Sequence, residues 1–255
     1  MEQLIAELRT HIRGDVRFDP ISRALYATDA SIYQIEPLGV VLPRDEQDVA
    51  AALRLARKHG AAVLPRGGGT SLAGQTVGRA IQIDFTRYMN HLLEVNPAEG
   101  WAWVEPGLVL DELNALLVPH DLKFAPDVSP SNRATIGGMI GNNSSGMYSL
   151  VYGKTIDHVL ELKVMLSDGS VTTLGPLDAE ELRQKLMLDS LEGRAYRTTQ
   201  RLSRELADEI AARYPKILRR VGGYNLDAFV PRGWVLGTRD WEANFSLSRS
   251  PIPNT

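Results

Sequence analysis

Two glycine-rich stretches, far apart in the chain, restrict its possible folds more than any other feature. The first, Pro65-Arg66-Gly67-Gly68-Gly69-Thr70-Ser71-Leu72-Ala73-Gly74-Gln75, follows an apolar run and reads as a loop leaving a strand. Glycine lets backbone amides approach a ligand without interference from a Cβ, and it adopts positive φ readily. Successive amides facing one way form an anion nest. Arg66 to Ser71 therefore has the composition to hold a diphosphate, with Thr70 and Ser71 adding hydroxyl donors. Taken alone, a triple glycine is more often a flexible turn. The second stretch is Thr135-Ile136-Gly137-Gly138-Met139-Ile140-Gly141-Asn142-Asn143-Ser144-Ser145-Gly146. Ile136, Met139 and Ile140 make it too apolar for a solvated linker, and its glycines and amides make it too polar for a core helix. The expectation is a buried segment whose backbone faces a large polar ligand.

The neighbouring sequence supplies a frame for these loops. Gly39-Val40-Val41-Leu42-Pro43 reads as a short strand ended by proline. Asp45 stands at an N-cap position with Asp48 three residues on, a pair resembling a capping box. Val49, Ala52, Leu53 and Ala56 follow at helical spacing, and Gly60 takes the C′ position. Ala61 to Leu64 reads as the next strand, which gives a strand–helix–strand unit with parallel strands. Ile81 to Asp84 alternates as a strand. His91–Val95 and Trp101–Val104 read as two strands around the turn Asn96 to Gly100. Leu110, Leu113, Leu116 and Leu117 mark a helix, as do Leu4, Ile5, Leu8 and Ile12 near the N-terminus. Val159–Leu166 and Ser170–Leu174 flank Asp168-Gly169, which predicts a type I′ hairpin. Asp178 to Leu218 reads as helix, with Leu202, Leu206 and Ile210 on an apolar face.

Composition narrows the function. The chain has 255 residues, 28 basic and 31 acidic, for a net charge of −3. No basic excess recruits nucleic acid. There is no cysteine, so the chain offers no thiolate nucleophile, cysteine-ligated iron–sulfur cluster or thiolate zinc site. No apolar run approaches the length of about 18 residues that a membrane span needs, so no transmembrane segment is expected. Glu2, Glu7 and Arg9 interrupt any signal-peptide core, and the default compartment is cytoplasmic.

Other motifs fail on spacing. Gly153-Lys154-Thr155 lacks the earlier glycine of a phosphate-binding P-loop, because position 148 is Tyr148. The dinucleotide pattern fails at Leu72, and the nucleophile elbow has one residue too many before Ser144. The five histidines are scattered with no metal-ligand spacing, and Asp111 and Glu112 suit the first turn of a helix.

The motifs that do fit occur in a fixed order. They are Pro65 to Leu72, Pro126-Asp127, Thr135 to Gly138, Asn142 to Gly146, Tyr152-Gly153 and the Asp168-Gly169 turn. Together they resemble the FAD-binding domain of the vanillyl-alcohol oxidase / p-cresol methylhydroxylase superfamily. The branch they resemble most is the FAD-linked D-2-hydroxy-acid dehydrogenases, which act on D-lactate, glycolate or D-2-hydroxyglutarate. The resemblance covers about residues 15 to 228.

It implies an α+β fold of the p-cresol methylhydroxylase type over residues 1–228. A small βαβ subdomain (about 15–70) and a larger mixed or antiparallel subdomain with helices (71–228) would hold FAD between them. By position, Arg66, Gly67, Gly68, Gly69, Thr70, Ser71 and Leu72 would form the pyrophosphate loop. Asp127, Thr135, Gly138, Asn142, Ser144, Gly146 and Gly153 would line the rest, with Val159 near the adenine. FAD would be non-covalent, because Thr70 stands where covalently linked relatives often carry histidine. The substrate would be a small 2-hydroxy acid. An electron acceptor is implied too, and some large members fuse this module to an iron–sulfur half. Residues 229–255 match nothing and read as a truncated or divergent tail, so no catalytic residue can be assigned. Arg232 and Arg239 have no histidine paired with them. The rival readings are a non-catalytic FAD-binding fragment that needs a partner and a reductase on the same architecture.

Overall fold

The computed structural model describes residues 1–217 and 223–230. Residues 218–222 and 231–255, the latter including Arg232 and Arg239, lie outside the described residues. The chain divides into two compact units: Met1–Val159 with Ser167–Ser170, and Leu160–Leu166 with the described residues from Val171 on.

The first unit opens with α1 (Glu2–His11), β1 (Asp15–Arg17) and α2 (Pro20–Leu25), then β2 (Gly39–Leu42), α3 (Glu46–Lys58), β3 (Val63–Arg66) and β4 (Ile81–Asp84). These strands form one sheet in the order β1-β2-β4-β3. The expected strand–helix–strand unit is present and its strands are parallel, but they are not neighbours. β4, from beyond residue 70, lies between them and pairs parallel with both. β2 and β4 are buried at every position. Leu4 and Leu8 of α1, with Ile12 just after it, pack with Ala51, Ala52 and Ala56 of α3 against Val41, Ile81 and Ile83.

Asp45 caps α3 as expected, accepting from Gln47 N at 3.0 Å and Asp48 N at 3.2 Å. Asp48 does not complete a capping box. Its side chain is one methylene shorter than the glutamate of that motif. It is 1% exposed and accepts from the backbone amides of Arg13, Gly14 and Arg44, each at 2.9 Å. It ties the start of β1 to the start of α3.

β5 (Leu92–Asn96) and β6 (Trp101–Val104) form an antiparallel hairpin. It is followed by α4 (Leu110–Leu117), α5 (Ile136–Asn142) and α6 (Ser149–Tyr152). Leu108, Leu110, Leu113, Leu117, Ala134, Ile136 and Met139 make a second core, against which Leu92, Val95, Ala102 and Val104 pack.

The second unit contains β7 (Leu162–Met165), β8 (Val171–Leu174), α7 (Ala179–Met187), α8 (Leu191–Glu205) and α9 (Ala207–Arg213). β7 and β8 pair antiparallel, but the turn is not the two-residue type I′ expected. Met165 pairs with Val171, so residues 166–170 form the connection. Only Gly169 there has positive φ, at 83°. The Asp168 carboxylate accepts from Ser170 N at 3.0 Å and Ser170 Oγ at 2.6 Å, which stabilises a side-chain turn instead. The long helix expected after Asp178 is three helices as far as residue 217. Ser190 caps α8 through Gly193 N. Ile210 is buried, whereas Leu206 sits exposed at the break between α8 and α9. No helix among the described residues is long and apolar enough to cross a membrane.

Candidate cofactor-binding site

The first glycine loop leaves the C-terminal end of β3, where Arg66 pairs with Asp84. Its glycines are fixed by contacts within the first unit. A Cβ on Gly67 would lie 2.1 Å from Thr135 Oγ1, and one on Gly68 would lie 2.1 Å from Arg133 O. Gly69 has φ +65°, and a Cβ there would meet Arg66 Nη2 at 2.7 Å. The segment Arg133–Thr135 therefore lies directly against the loop, and larger residues would push the two apart. None of the six backbone N–H groups from Gly67 to Leu72 has an acceptor among the described residues. At these half-buried to exposed positions the donors are open to water or to a ligand. Thr70 and Ser71 are half-buried and Leu72 is 79% exposed.

Arg66 lies under Gly69 and gives its donors to other parts of the chain. Nη1 donates to Tyr26 O at 3.3 Å, Thr76 O at 3.2 Å and Gln82 Oε1 at 3.4 Å. Nη2 donates to Thr28 O at 2.8 Å. The guanidinium also lies over the Tyr26 ring, 5.1 Å from its centroid. Burial pushes its pKa below the ordinary arginine value, against the opposing effects of Asp84, Tyr26 and Asp29. Tyr26 donates to Asp84 Oδ2 at 2.5 Å, and burial first, then this carboxylate, holds the phenol above its usual range.

The second glycine stretch is a helix, which corrects the expectation that its composition rules one out. Thr135 caps α5, accepting from Gly138 N at 3.3 Å. The other first-turn amides are also matched: Ile136 N donates to Leu108 O and Gly137 N to Pro106 O, both at 2.9 Å. Gly137 is glycine because a Cβ there would lie 2.7 Å from Pro106 Cβ. Ile136 and Met139 anchor one side in the core. Gly138 and Gly141 leave the other side bare, and a Cβ at Gly141 would have nothing within 4 Å. Asn143 ends the helix in the left-handed region at φ 45°.

The sequence-predicted residues divide into two groups. Gly67 meets Thr135, and Asn142 Nδ2 donates to Ser71 Oγ at 3.3 Å, so the loop and the bare side of α5 adjoin. Asp127 accepts from Met147 N and Tyr148 N, each at 3.0 Å, and Gly146 passes so close that a Cβ would lie 2.0 Å from Asp127 O. Ser144 O accepts from Thr155 N at 3.0 Å and Thr155 Oγ1 at 2.8 Å. These contacts order the chain after α5. Gly153, with φ 79°, and Val159 cap the two ends of the segment containing the short Thr155–His158 turn. Among the described residues neither hydrogen-bonds to the glycine loop.

Sequence reading missed Tyr26, Gln82 and Asp84, the polar group behind the loop. Ile81-Gln82-Ile83-Asp84 reads as a half-exposed alternating strand, but all four residues are buried. Gln82 is 0% exposed and donates to Tyr26 O at 3.0 Å. The signal was available, because polar residues in a central strand need buried partners.

An amide run without acceptors beside a bare glycine helix face suits a nucleotide diphosphate and the extended body of FAD. Among the described residues there is no cluster of side chains able to hold a metal. Residues 37–175 match the FAD binding domain family. Over 216 residues the chain is 42% identical to the D-2-hydroxyglutarate dehydrogenase of Escherichia coli, covering 84% of this chain and 21% of that protein. The Pseudomonas putida D-2-hydroxyglutarate dehydrogenase is 42% identical over 228 residues, 88% of this chain and 23% of the relative. The chain thus spans about a fifth of the length of these relatives. Among solved structures, alkyldihydroxyacetonephosphate synthase aligns with a TM-score of 0.63 at 24% identity, covering 70% of this chain and 35% of that one. That likeness shows a shared α+β fold.

Proposed function

Since the chain belongs to the FAD binding domain family, we propose that it is the FAD-holding part of a flavin-dependent dehydrogenase. Its substrate would be a D-2-hydroxy acid of the D-lactate or D-2-hydroxyglutarate class. When bound, FAD supplies an acceptor at N5 for hydride from the substrate Cα. The observation that carries the reading is the run of acceptor-free amides from Gly67 to Leu72 beside the bare side of α5. These amides, with the Thr70 and Ser71 hydroxyls, would take the diphosphate. Gly138 and Gly141 would give the flavin nucleotide a surface without side-chain obstruction, and the Asn142 amide joins that side to Ser71 of the loop. Thr135, Asp127 and Ser144 hold that backbone in place.

The attachment is non-covalent in this reading, since Thr70 offers no histidine nitrogen and the chain has no cysteine. Titration of the protein with FAD and with riboflavin, which lacks the diphosphate, tests the cradle. FAD should bind at least about 100-fold more tightly, because several charge-assisted hydrogen bonds are at stake. Equal affinities would overturn the assignment. Acid precipitation should release the yellow colour into the supernatant, and colour retained in the pellet would refute non-covalent attachment. The FAD-loaded chain alone should not oxidise D-lactate or D-2-hydroxyglutarate at an enzymatic rate. Arg66, the guanidinium at the loop, is committed to carbonyl oxygens and is not available to a substrate carboxylate. Dye-linked turnover of either acid would show that the chain holds the reacting groups as well.

A further inference from the structure

We infer that Arg66 is a positioning residue, which fastens the segment 26–30 and Thr76 to the base of the glycine loop and so sets the amide cradle without touching the bound anion. This rests on the FAD reading and goes beyond it. The geometry is that of a knot. The guanidinium reaches the carbonyls of Tyr26, Thr28 and Thr76 and the side-chain oxygen of Gln82. Ala30 N donates to Gly69 O at 3.0 Å, which ties the same segment to the crest of the loop. Thr76 Oγ1 donates to Asp29 Oδ2 at 2.9 Å, joining the segment to the chain that leaves the loop. Gly69, whose φ of +65° favours glycine, lies over Nη2, so a Cβ there would have to displace the guanidinium. Three acceptors share the two N–H donors of Nη1, and Thr28 O takes Nη2, so the knot needs two nitrogens held apart, which the guanidinium has and a lysine ammonium does not.

An arginine that bound the diphosphate by charge would behave differently, because lysine supplies the same charge. The test compares Arg66→Lys, Arg66→Met and Asp29→Asn in the full chain, with FAD and riboflavin as probes. For Arg66→Lys, FAD affinity should fall at least about tenfold, as far as for Arg66→Met, while riboflavin affinity stays within about twofold. Asp29→Asn should weaken FAD about threefold through the same segment, and it remains available if Arg66→Met does not fold. A ligand-free readout accompanies these. Hydrogen-exchange protection of the Ala30 amide should fall about tenfold in Arg66→Lys while protection in α3 is unchanged. FAD affinity retained by Arg66→Lys but lost in Arg66→Met would show direct charge contact and overturn the inference. Unchanged Ala30 protection would overturn it too. If the wild-type chain fails to bind FAD while Ala30 protection still drops in the variant, the knot stands and only the flavin reading falls.

Discussion

Between Gly67 and Leu72 the backbone amides find no acceptor among the described residues, while the amides at the start of α5 are matched by Leu108, Pro106 and Thr135. Both stretches are glycine-rich, and in both the glycines permit close approach. In the first, Gly67 and Gly68 let Arg133–Thr135 press against the loop, and none of the loop's amides is spent on that contact. In the second, Gly137 lets the helix press against Pro106, and the first donors are taken by Leu108 O, Pro106 O and the Thr135 cap. Glycine content therefore reports a close backbone approach and does not say to what. The destination of the N–H groups distinguishes a binding loop from a packed helix.

The comparison breaks most easily at Gly68. A valine there would place its Cβ 2.1 Å from Arg133 O, a backbone atom that cannot swing aside. Gly68→Val should weaken FAD binding by about 100-fold or more, since the loop must leave its seat. Flavin fluorescence titration measures this, and near-native affinity would show that the loop is not the cradle. Gly137→Ala should act on stability instead. Its Cβ would lie 2.7 Å from Pro106 Cβ, so roughly 1–3 kcal/mol of stability should be lost by urea unfolding. FAD affinity of the folded fraction should stay within about threefold, because the Gly137 amide is already committed to Pro106 O. A large affinity loss in Gly137→Ala would erase the contrast between the two stretches.

A smaller effect sits behind the first loop. Tyr26→Phe removes the hydrogen bond to Asp84 and should cost about 1 kcal/mol at neutral pH. The folded chain raises the Tyr26 pKa above its ordinary value of 10.0 by burial, reinforced by Asp84. The neutral phenol is thus the form that folding favours. Its contribution is fully present below about pH 10 and is lost as pH rises beyond that. The stability gap between wild type and Tyr26→Phe should therefore close in alkaline buffer, and a gap that persists would contradict the assignment.

How much of this was legible in the sequence follows from the range of the interactions involved. The bounds of α3 could be read because Asp45, the apolar spacing and Gly60 all act within a few residues, whereas Asp48 takes the distant amides of Arg13 and Gly14. The position of β4 between β2 and β3 could not, because nothing local tells Ile81–Asp84 where to insert. α5 was misread for a related reason. Its glycines lower intrinsic helix propensity by about 1 kcal/mol each, and packing of Ile136 and Met139 in the core overrides that penalty. At the candidate site, the ordered motifs single out both stretches. The inward turn of Arg66 was invisible, because its acceptors are carbonyls of Tyr26, Thr28 and Thr76, and backbone oxygens leave no trace in residue identity.

The smallest expected effect separates folding from binding on a single helix. Gly141 lies within α5, and a Cβ there would meet nothing within 4 Å. In an open helical position, alanine restricts the unfolded chain and favours helix, so Gly141→Ala should gain roughly 0.5–1 kcal/mol of stability. The same methyl group would stand on the bare side of α5, the side that Asn142 joins to Ser71 of the glycine loop. If FAD lies along that side, the nucleotide must shift by the thickness of a methyl group, and affinity should drop by about three- to tenfold. The two measurements are then opposed in sign: the melting temperature rises while FAD binds more weakly. That combination cannot arise from general destabilisation, which lowers both. A rise in stability with unchanged FAD affinity would confine the cofactor to the first loop. It would leave the glycines of α5 as packing and helix features alone.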